Sequence, residues 1–272
     1  MRDEPSATAR FIAEHIVLLG SEDHALLEIP ADQIEWTVRL LETCGWSRRA
    51  LGRKSWRAIS RLTERLSIPG VRTHYVLRKR IIEQEARKAI SEGFRRIVVI
   101  AGGFDVLALR LAHEFPHVRF LELDHPATQR VKREALERYG SPKNLALAAV
   151  DLRHESIPAG DEPTLFIAEG VLMYFSEEEV GKILHALGHR VVFTAMESID
   201  GFRGSSRLVR RWLQWKGEPF RWAIARGDVD PFLRRHGLSL RRFYGSSEIR
   251  AQLPSRAAGR RIAEGEVIIV AE

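Results

Sequence analysis

The sequence predicts an α/β protein built on a doubly wound, seven-stranded, mostly parallel β-sheet, with an N-terminal helical extension and a terminal β-hairpin. From Arg96 onward, short apolar runs alternate with amphipathic segments, which is the pattern of repeated strand and helix units. The runs are almost continuously apolar, as expected of parallel strands covered by helices on both faces. Two more apolar runs lie close together near the C-terminus and are predicted to complete the sheet.

The predicted strands after residue 95 are short apolar runs, at 96–100, 118–124, 145–151, 164–169, 191–196, 238–244 and 265–271. The predicted helices between them have an apolar stripe at helical spacing, at 105–115, 126–138 and 176–188. Parallel strands need crossover connections of this kind. The last two strands follow a long irregular stretch and are expected to pair as a hairpin, an ending that plain dinucleotide-binding domains lack.

Residues 6–90 are predicted to be helical because their apolar residues recur at helical spacing. Pro69-Gly70 interrupts this region before its last amphipathic stretch. No linker rich in proline, glycine or serine divides the chain. We therefore predict an N-terminal helical extension or cap over 1–92, and a core over 93–272 with an insert near 200–235.

Composition limits the classes of function. The chain has 272 residues, 44% of them hydrophobic, and 43 Lys and Arg against 36 Asp and Glu, a net charge of +7. Cys44 is the single cysteine, and the histidines show no HExxH pairing, so neither a disulfide framework nor a metal site is expected. No apolar run approaches a membrane span and no signal peptide is recognisable, which predicts a cytoplasmic protein with no membrane partner.

The positive charge alone would suit an anionic partner such as nucleic acid. Arg57, Arg61 and Arg65 fall on one side of a predicted helix, and we interpret them as a solvated outer face. Enzymes that methylate base amino groups commonly carry an Asn/Asp-Pro-Pro-aromatic turn after the fourth strand, whereas residues 169–174 here read EGVLMY. Nucleic acid is therefore not expected as the partner.

The turn after the first strand indicates the kind of cofactor. Residues 101–106 read AGGFDV, in place of the G-x-G-x-x-G that cradles a dinucleotide pyrophosphate. Val106 stands where the last glycine would be, and Asp105 places a negative charge where the pyrophosphate would approach. Gly102 and Gly103 still permit close approach of the backbone. A cofactor with an amino-acid end, a sulfonium and a nucleoside, but no phosphate, fits better, and this describes S-adenosylmethionine.

Acidic residues end three further strands at the edge where ligands of open α/β sheets bind. Asp124 follows the glycines by about twenty residues, where a carboxylate accepts both ribose hydroxyls, and Glu122 on the same face is the fallback. Asp151-Leu152 is expected beside the adenine, and Glu169-Gly170 beside the methionine part. One such acid is more often a helix cap or a turn former, but their repetition at successive strand ends favours a nucleoside site.

Several motifs resemble those of the leucine carboxyl methyltransferase family of S-adenosylmethionine-dependent enzymes. They extend over most of the chain: SATARFIAEH (6–15), VRTHY (71–75), AGGFD (101–105), LELDHPATQRVK (121–132), VDL (150–152) and EGVLMYFSEEEV (169–180). The short chain and WKGEPFRWAI at 215–224 are more similar to the tetracenomycin-type polyketide O-methyltransferases, tailoring enzymes of secondary metabolism, than to the protein-phosphatase branch. The resemblance implies the Rossmann-like class I methyltransferase fold.

The resemblance also implies residue roles. The cofactor carboxylate would bind Arg72 and the methionine end would contact Ala101, Gly102 and Gly103. Asp124 would hold the ribose, Asp151 and Leu152 would frame the adenine, and Glu169 would lie near the amino end. Two features depart from the family: Ala101 replaces its first glycine, and the N-terminal lysine of the phosphatase branch has no clear match, Arg10 being the nearest basic residue.

The acceptor is expected to be a small acidic or aromatic molecule, methylated on a carboxylate or a hydroxyl by in-line displacement. Tyr75, Tyr174 and Trp222 are the predicted acceptor-binding residues. The insert also carries Trp212, Trp215 and Phe220 among arginines, and it either covers the acceptor pocket or anchors a helix to the sheet. No catalytic residue is assigned, since an ionised carboxylate needs no base, whereas a phenol would.

Candidate bases for a phenol are the histidines near predicted strand ends or cofactor segments, and each is also explained by packing or capping: His74, His125 and His154. Three alternatives stay open at this point. The chain could methylate the C-terminal carboxylate of a protein, bind nucleic acid through 48–65 and 203–211, or keep the fold without catalysis, which Ala101 makes conceivable.

Overall fold

The computed structural model describes residues 6–47, 53–152, 155, 157, 162–203, 211 and 219–272. Within them lies one seven-stranded sheet with the strand order β3-β2-β1-β4-β5-β7-β6. The strands are β1 (Arg96–Ile100), β2 (Arg119–Asp124), β3 (Leu145–Ala149), β4 (Thr164–Ala168), β5 (Arg190–Met196), β6 (Leu240–Tyr244) and β7 (Glu266–Ala271). Every predicted strand exists, and the bounds differ from prediction by at most two residues.

The strand directions confirm the predicted sheet. β1 pairs in parallel with β2 and β4, β2 with β3, and β4 with β5. Only β7 is antiparallel to its neighbours, β5 and β6. The predicted terminal pair therefore forms, although residues 245–265 separate its strands. The chain reverses its winding between β1 and β4, so the crevice at that switch point is where a ligand is expected.

The helices of the described residues are α1 (Ala7–Leu27), α2 (Ala31–Thr43), α3 (Lys54–Ser67), α4 (Val71–Ser91), α5 (Leu107–Glu114), α6 (Pro126–Tyr139), α7 (Glu177–Leu187), α8 (Val229–Arg235) and α9 (Ser246–Arg250). The β1 residues Ile97 and Val99 pack with the apolar faces of α4 and α5, and Val98 and Ile100 with those of α7 and α8. Because successive side chains of a strand point to opposite faces, β1 is buried on both sides. This is the doubly wound arrangement that its apolar sequence predicts.

Local signals explain where two helices of the core begin. Ser176 and Glu179 form a reciprocal capping box at the start of α7, in which the Glu179 N–H donates to Ser176 Oγ at 3.3 Å. Pro126 takes the first position of α6, where its missing N–H costs nothing, and His125 is the N-cap. α6 starts directly after β2, so its N-terminus points toward the crevice edge of the sheet, whereas residues 169–176 separate α7 from the end of β4.

The N-terminal helices α1 and α2 lie over the turn that follows β1. Ala13 and Val17 of α1 and Leu41 of α2 pack with Phe104 and Val106 in one apolar cluster. The kink of α1 at Asp23, with φ −137°, interrupts an otherwise continuous helix. The extension thus forms a roof over the crevice, while its division from the core as a separate domain stays a prediction.

Helix α3 differs from the expected orientation. Its apolar residues Ile59, Leu62 and Leu66 are exposed, whereas Ser60 and Glu64 face inward. The inward polar groups have partners on the neighbouring helices, since Ser60 Oγ lies 3.4 Å from His15 Nε2 and Glu64 pairs with a buried arginine of α4. Burying polar groups with partners has overridden the apolar periodicity here. No helix of the described residues is long and apolar enough to span a bilayer.

Candidate functional site

A cavity of about 980 Å³ opens at the carboxyl ends of β1, β2 and β4. The turn after β1, the end of β2 and the Glu169-Gly170-Val171 segment form its floor and walls, and α1 and α2 contribute its roof through Ile12, Ile16 and Thr37. Its size is at the upper end of the range for small-molecule sites. It is also at the switch point of the sheet, where sequence reasoning placed the ligand.

The glycine turn has the close packing that its sequence predicts. A side chain on Gly102 would meet the carboxyl carbon of Glu122 at 2.7 Å, and one on Gly103 would meet Ala9 Cβ at 2.9 Å. Gly103 also has φ +56°, and Ala101 has φ +52°. Left-handed backbone costs a non-glycine residue about 1–2 kcal/mol, which is the physical reason for a glycine at the position of Ala101. The Ala101 N–H donates to Leu123 O at 2.7 Å and holds the turn in place.

Asp124 ties the glycine turn to the end of β2. Its carboxylate accepts hydrogen bonds from the N–H of Gly103 and, at 2.6 Å, from the N–H of His125. Burial raises the pKa of this carboxyl, and the two N–H groups act against that rise. Because an ionised carboxylate has about four acceptor positions, Asp124 retains capacity for a ligand in the cavity that it lines.

Glu122, the fallback ribose ligand, lies beneath the turn. It is buried against Gly102 and forms an ion pair with Lys132 of α6. Burial raises the pKa of Glu122 to about 7, although the Lys132 ammonium lowers it. Asp124 lines the cavity and Glu122 supports the floor, so the structure separates two acids that strand alternation alone places on the same face.

Beside the turn, Glu169 is held by two cations of α4. Arg78 Nε donates to Glu169 Oε1 at 2.8 Å, and Lys79 Nζ lies 3.1 Å from the same oxygen. Lys79 Nζ also pairs with Asp105 Oδ2 at 3.0 Å. The Lys79 ammonium helps to lower the pKa of Asp105 to about 2, against the effect of burial, so this turn acid is ionised.

Behind this pair, Arg78 extends the network into the core. Its Nη1 lies 2.8 Å from Glu266 Oε1, and His74 Nε2 lies 2.8 Å from Glu266 Oε2. Burial would raise the pKa of Glu266, but Arg78 and His74 outweigh it and lower the pKa to about 2. A chain of alternating charges therefore leads from the buried start of β7 to the cavity wall.

The opposite part of the wall is aromatic and basic. Tyr174 lines the cavity and its ring centroid lies 5.7 Å from that of Phe220. Arg221 also lines the cavity, with its N–H donating to Met173 O at 2.8 Å and its guanidinium 3.3 Å from Glu179. Asp151 lines the cavity near Asp124, whereas Leu152 packs against the core.

Four predicted site residues do not line this cavity: Leu152, which packs against the core, and three residues that are held elsewhere. Arg72 is buried, bonds to Glu64 and lines a separate cavity of about 240 Å³. Tyr75 is buried against Phe202, with ring centroids 6.5 Å apart. Trp222 is buried 5.4 Å from Phe232, centroid to centroid, which agrees with an anchor in the core rather than with a pocket wall. In each case packing inside the fold, invisible in the spacing of the motif, takes the side chain elsewhere.

The candidate bases also lie in different places. His74 is buried on Glu266, and His125 lines the cavity while its Nδ1 accepts the N–H of Ala127 at 3.3 Å as the cap of α6. His154, like Trp212 and Trp215, lies outside the described residues. Sequence reasoning missed Arg78 and Lys79. One signal was available, because Lys79 follows Arg72 by seven residues and so lies on the same helix face about two turns further along α4.

Comparisons with known proteins identify one family model and several relatives. A family model described as leucine carboxyl methyltransferase matches residues 27–188. A protein of Mycolicibacterium paratuberculosis named as an S-adenosyl-L-methionine-dependent methyltransferase is 30% identical over 186 residues, 59% of this chain and 59% of that protein. One of Mycobacterium avium with the same name is 33% identical over 186 residues, again 59% of each. The chain thus matches less than two thirds of the length of these relatives.

Among solved structures, magnesium protoporphyrin IX methyltransferase from Synechocystis PCC 6803 with bound SAH is similar, with a TM-score of 0.48 and 16% identity. The similarity covers 72% of this chain and 83% of that one.

Proposed function

The chain belongs to the leucine carboxyl methyltransferase family, and from this premise we propose that it transfers a methyl group from S-adenosylmethionine to an oxygen of a small acceptor. The observation that carries the proposal is that one cavity is lined both by the glycine turn, Asp124 and Glu169 and by Tyr174 and Arg221. It offers groups for a nucleoside cofactor and, next to them, groups for an aromatic or acidic acceptor.

The charges of the cofactor side fit this donor. Asp105, Asp124, Asp151 and Glu169 line the cavity together with the cations Arg78, Lys79 and Arg221, and the acids at the glycine turn and at the end of β2 would oppose a pyrophosphate there. When bound, S-adenosylmethionine supplies an electrophilic methyl group on a positively charged sulfur. The acids favour that charge. The relatives from Mycolicibacterium paratuberculosis and Mycobacterium avium are named after the same cofactor, which agrees with the expectation.

Each cofactor-side residue would have a distinct task. Asp124 would accept the ribose hydroxyls, with its carboxylate oriented in advance by the N–H groups of Gly103 and His125. Gly102 and Gly103 would let the ligand approach the backbone, and Asp151 would border the adenine. Holding two reactants in line contributes about 7–11 kcal/mol to such reactions, so alignment is the main service of the protein.

On the acceptor side, we favour a carboxylate over a hydroxyl. The Arg221 guanidinium is about half exposed, with 45% of its side chain accessible, and it can exchange its partner Glu179 for an acceptor carboxylate. Tyr174 and Phe220 provide an apolar surface for a ring beside it. A carboxylate with a pKa near 4 is ionised at neutral pH and needs no base. Arg221, which lies within the predicted insert near 200–235, lines the cavity, and the covering of an acceptor pocket by this insert stays a prediction.

The proposal is tested by incubating the full chain with S-adenosylmethionine and a panel of aromatic acids, the matching phenols and a peptide with a C-terminal leucine. Mass spectrometry then detects one added methylene. We expect methyl esters of aromatic acids, and we expect Arg221→Ala to raise KM for acids without changing the affinity for S-adenosylhomocysteine.

The other arms discriminate among alternatives. Products confined to phenols would replace the carboxylate by a hydroxyl acceptor, and a methylated peptide would assign a protein carboxyl methyltransferase. No binding of S-adenosylhomocysteine by calorimetry would contradict the proposed function as a whole and would favour a member of the family that has kept only the fold.

A further inference from the structure

The ion pair of Lys79 and Glu169 lies on the cavity wall beside the glycine turn. We propose that this pair is the receptor for the zwitterionic amino-acid end of the cofactor, in which Lys79 binds the carboxylate and Glu169 the ammonium. The resemblance gave the carboxylate to Arg72 and says nothing of Lys79. The inference rests on the proposed function, and it deepens that function by assigning the residue that distinguishes an amino-acid nucleoside from a simple nucleoside.

The placement of Lys79 supports this role. Only 12% of its side chain and 10% of that of Glu169 are exposed, so both groups face the cavity from a largely dry wall. Asp105 and Glu169 raise the pKa of Lys79, although burial lowers it, so the amine is a cation. Charge-assisted hydrogen bonds are strong in such surroundings.

Glu169 is fixed in position from behind. The Arg78 guanidinium bonds to Glu169 and to the buried Glu266 at the same time, with contacts of 2.8 Å to each. Arg78 also lines the cavity, but it is 3% exposed and is held by both of these acids. It therefore serves as the positioning residue of Glu169, and Lys79 is the cation to which we assign the carboxylate.

The charge balance also favours a zwitterion. Two cations, Arg78 and Lys79, here face three carboxylates, those of Asp105, Glu169 and Glu266. A simple anion entering this cluster would meet repulsion from Glu169 and Asp105. An amino acid brings one charge of each sign. Its ammonium would bind Glu169, and its carboxylate would accept a hydrogen bond from one of the three N–H groups of the Lys79 ammonium.

Arg72 is poorly placed for the same task. Its Nε donates to Glu64 Oε2, and it lines the smaller cavity together with Glu22, Asp23, Arg61 and Arg260. Its hydrogen bonds and its ion pair go to Glu64. Lys79 lies on the same face of α4 about two helical turns further along and lines the larger cavity, so we assign the carboxylate to Lys79.

The test uses two nucleosides that differ only in the amino-acid end. S-adenosylhomocysteine and 5′-methylthioadenosine are titrated by calorimetry into the full chain and into Lys79→Met, Lys79→Arg and Arg72→Met. Lys182→Met is the matched control, because Lys182 forms an exposed pair with Glu178 on α7. We expect Lys79→Met to bind S-adenosylhomocysteine about 10- to 100-fold more weakly, as for loss of a hydrogen bond to a charged group.

The same variant should bind 5′-methylthioadenosine within about twofold of the wild-type chain, and Lys79→Arg should restore most of the loss, since a guanidinium also forms charge-assisted hydrogen bonds with a carboxylate. Equal weakening toward both nucleosides would overturn the proposal, because Lys79 would then only hold the turn through Asp105. A selective loss in Arg72→Met but not in Lys79→Met would overturn it in favour of Arg72. If the wild-type chain binds neither nucleoside, the proposed function fails and this assignment fails with it.

Discussion

Glu266 offers a quantitative test of the buried charge network. Its carboxylate is 1% exposed and bonds to Arg78 and His74, with contacts of 2.8 Å to each. These partners lower its pKa from an ordinary value of 4.5 to about 2, against the effect of burial. The perturbation is Glu266→Gln, which keeps the shape of the side chain and imitates the protonated, uncharged form.

The magnitude follows from linkage. A carboxyl whose pKa is lower in the folded state stabilises the fold fully above its unfolded pKa, and this contribution is lost as the pH falls through the folded pKa. A depression from 4.5 to about 2 is worth about 3 kcal/mol, at ~1.4 kcal/mol per pH unit. Breaking one partner of a buried ion pair costs about 3–5 kcal/mol, which is consistent.

The assay is urea unfolding of the wild-type chain and Glu266→Gln from pH 7 down to pH 2.5, followed by circular dichroism. We expect the variant to lose about 3 kcal/mol at pH 7, and we expect the difference between the two proteins to shrink steadily between pH 4.5 and pH 2.5. Glu178→Gln, in an exposed pair, controls for the loss of one carboxylate. A difference that stays constant from pH 7 to pH 3 would refute the reasoning, since the pKa of Glu266 would then be unperturbed.

The remaining predictions concern the glycine turn and the neighbouring Asp124. Ala101→Gly should raise the free energy of unfolding by about 0.5 kcal/mol, because relief of the left-handed strain at Ala101 exceeds the entropic cost of ordering a glycine. Gly103→Ala should lower the free energy of unfolding by about 2 kcal/mol, because of the φ of +56° at Gly103 and the contact with Ala9. Thermal denaturation measures both changes, and equal effects of the two would contradict the strain argument. Asp124→Asn should weaken the binding of 5′-methylthioadenosine about 10- to 100-fold, because it removes the charge of the carboxylate that accepts hydrogen bonds from the ribose hydroxyls. Calorimetry measures this affinity, and an unaltered affinity would exclude a contact between Asp124 and the ribose.

Much of the fold is readable from the chain because its signals are local. The run RIVVI is apolar at every position after Arg96, and β1 is buried on both faces as predicted. The family motifs gave the correct family, since the match over residues 27–188 confirms it. The position of Asp124 at a strand end was enough to place it on the cavity, because the carboxyl ends of parallel strands share one edge.

The candidate site was less predictable where a side chain has several possible partners. Glu122 and Asp124 share a strand face, yet Glu122 forms an ion pair with Lys132, whereas Asp124 lines the cavity. Arg72, Tyr75 and Trp222 stand in or near the right motifs, but Glu64, Phe202 and Phe232 hold them elsewhere. Such pairings join distant parts of the chain, and periodicity carries no information about them.

By itself, the amino-acid sequence determined the α/β class with its doubly wound, mostly parallel sheet, the glycine turn and the acidic strand ends, because each depends on short-range periodicity and on the backbone freedom of single residues. The tertiary structure alone decided that Lys79 and Arg78, rather than Arg72, meet Glu169, and that α1 covers the turn. The reason is that charge partners are selected by distance in the folded chain, and these distances exist only once helix α4 has packed against the sheet.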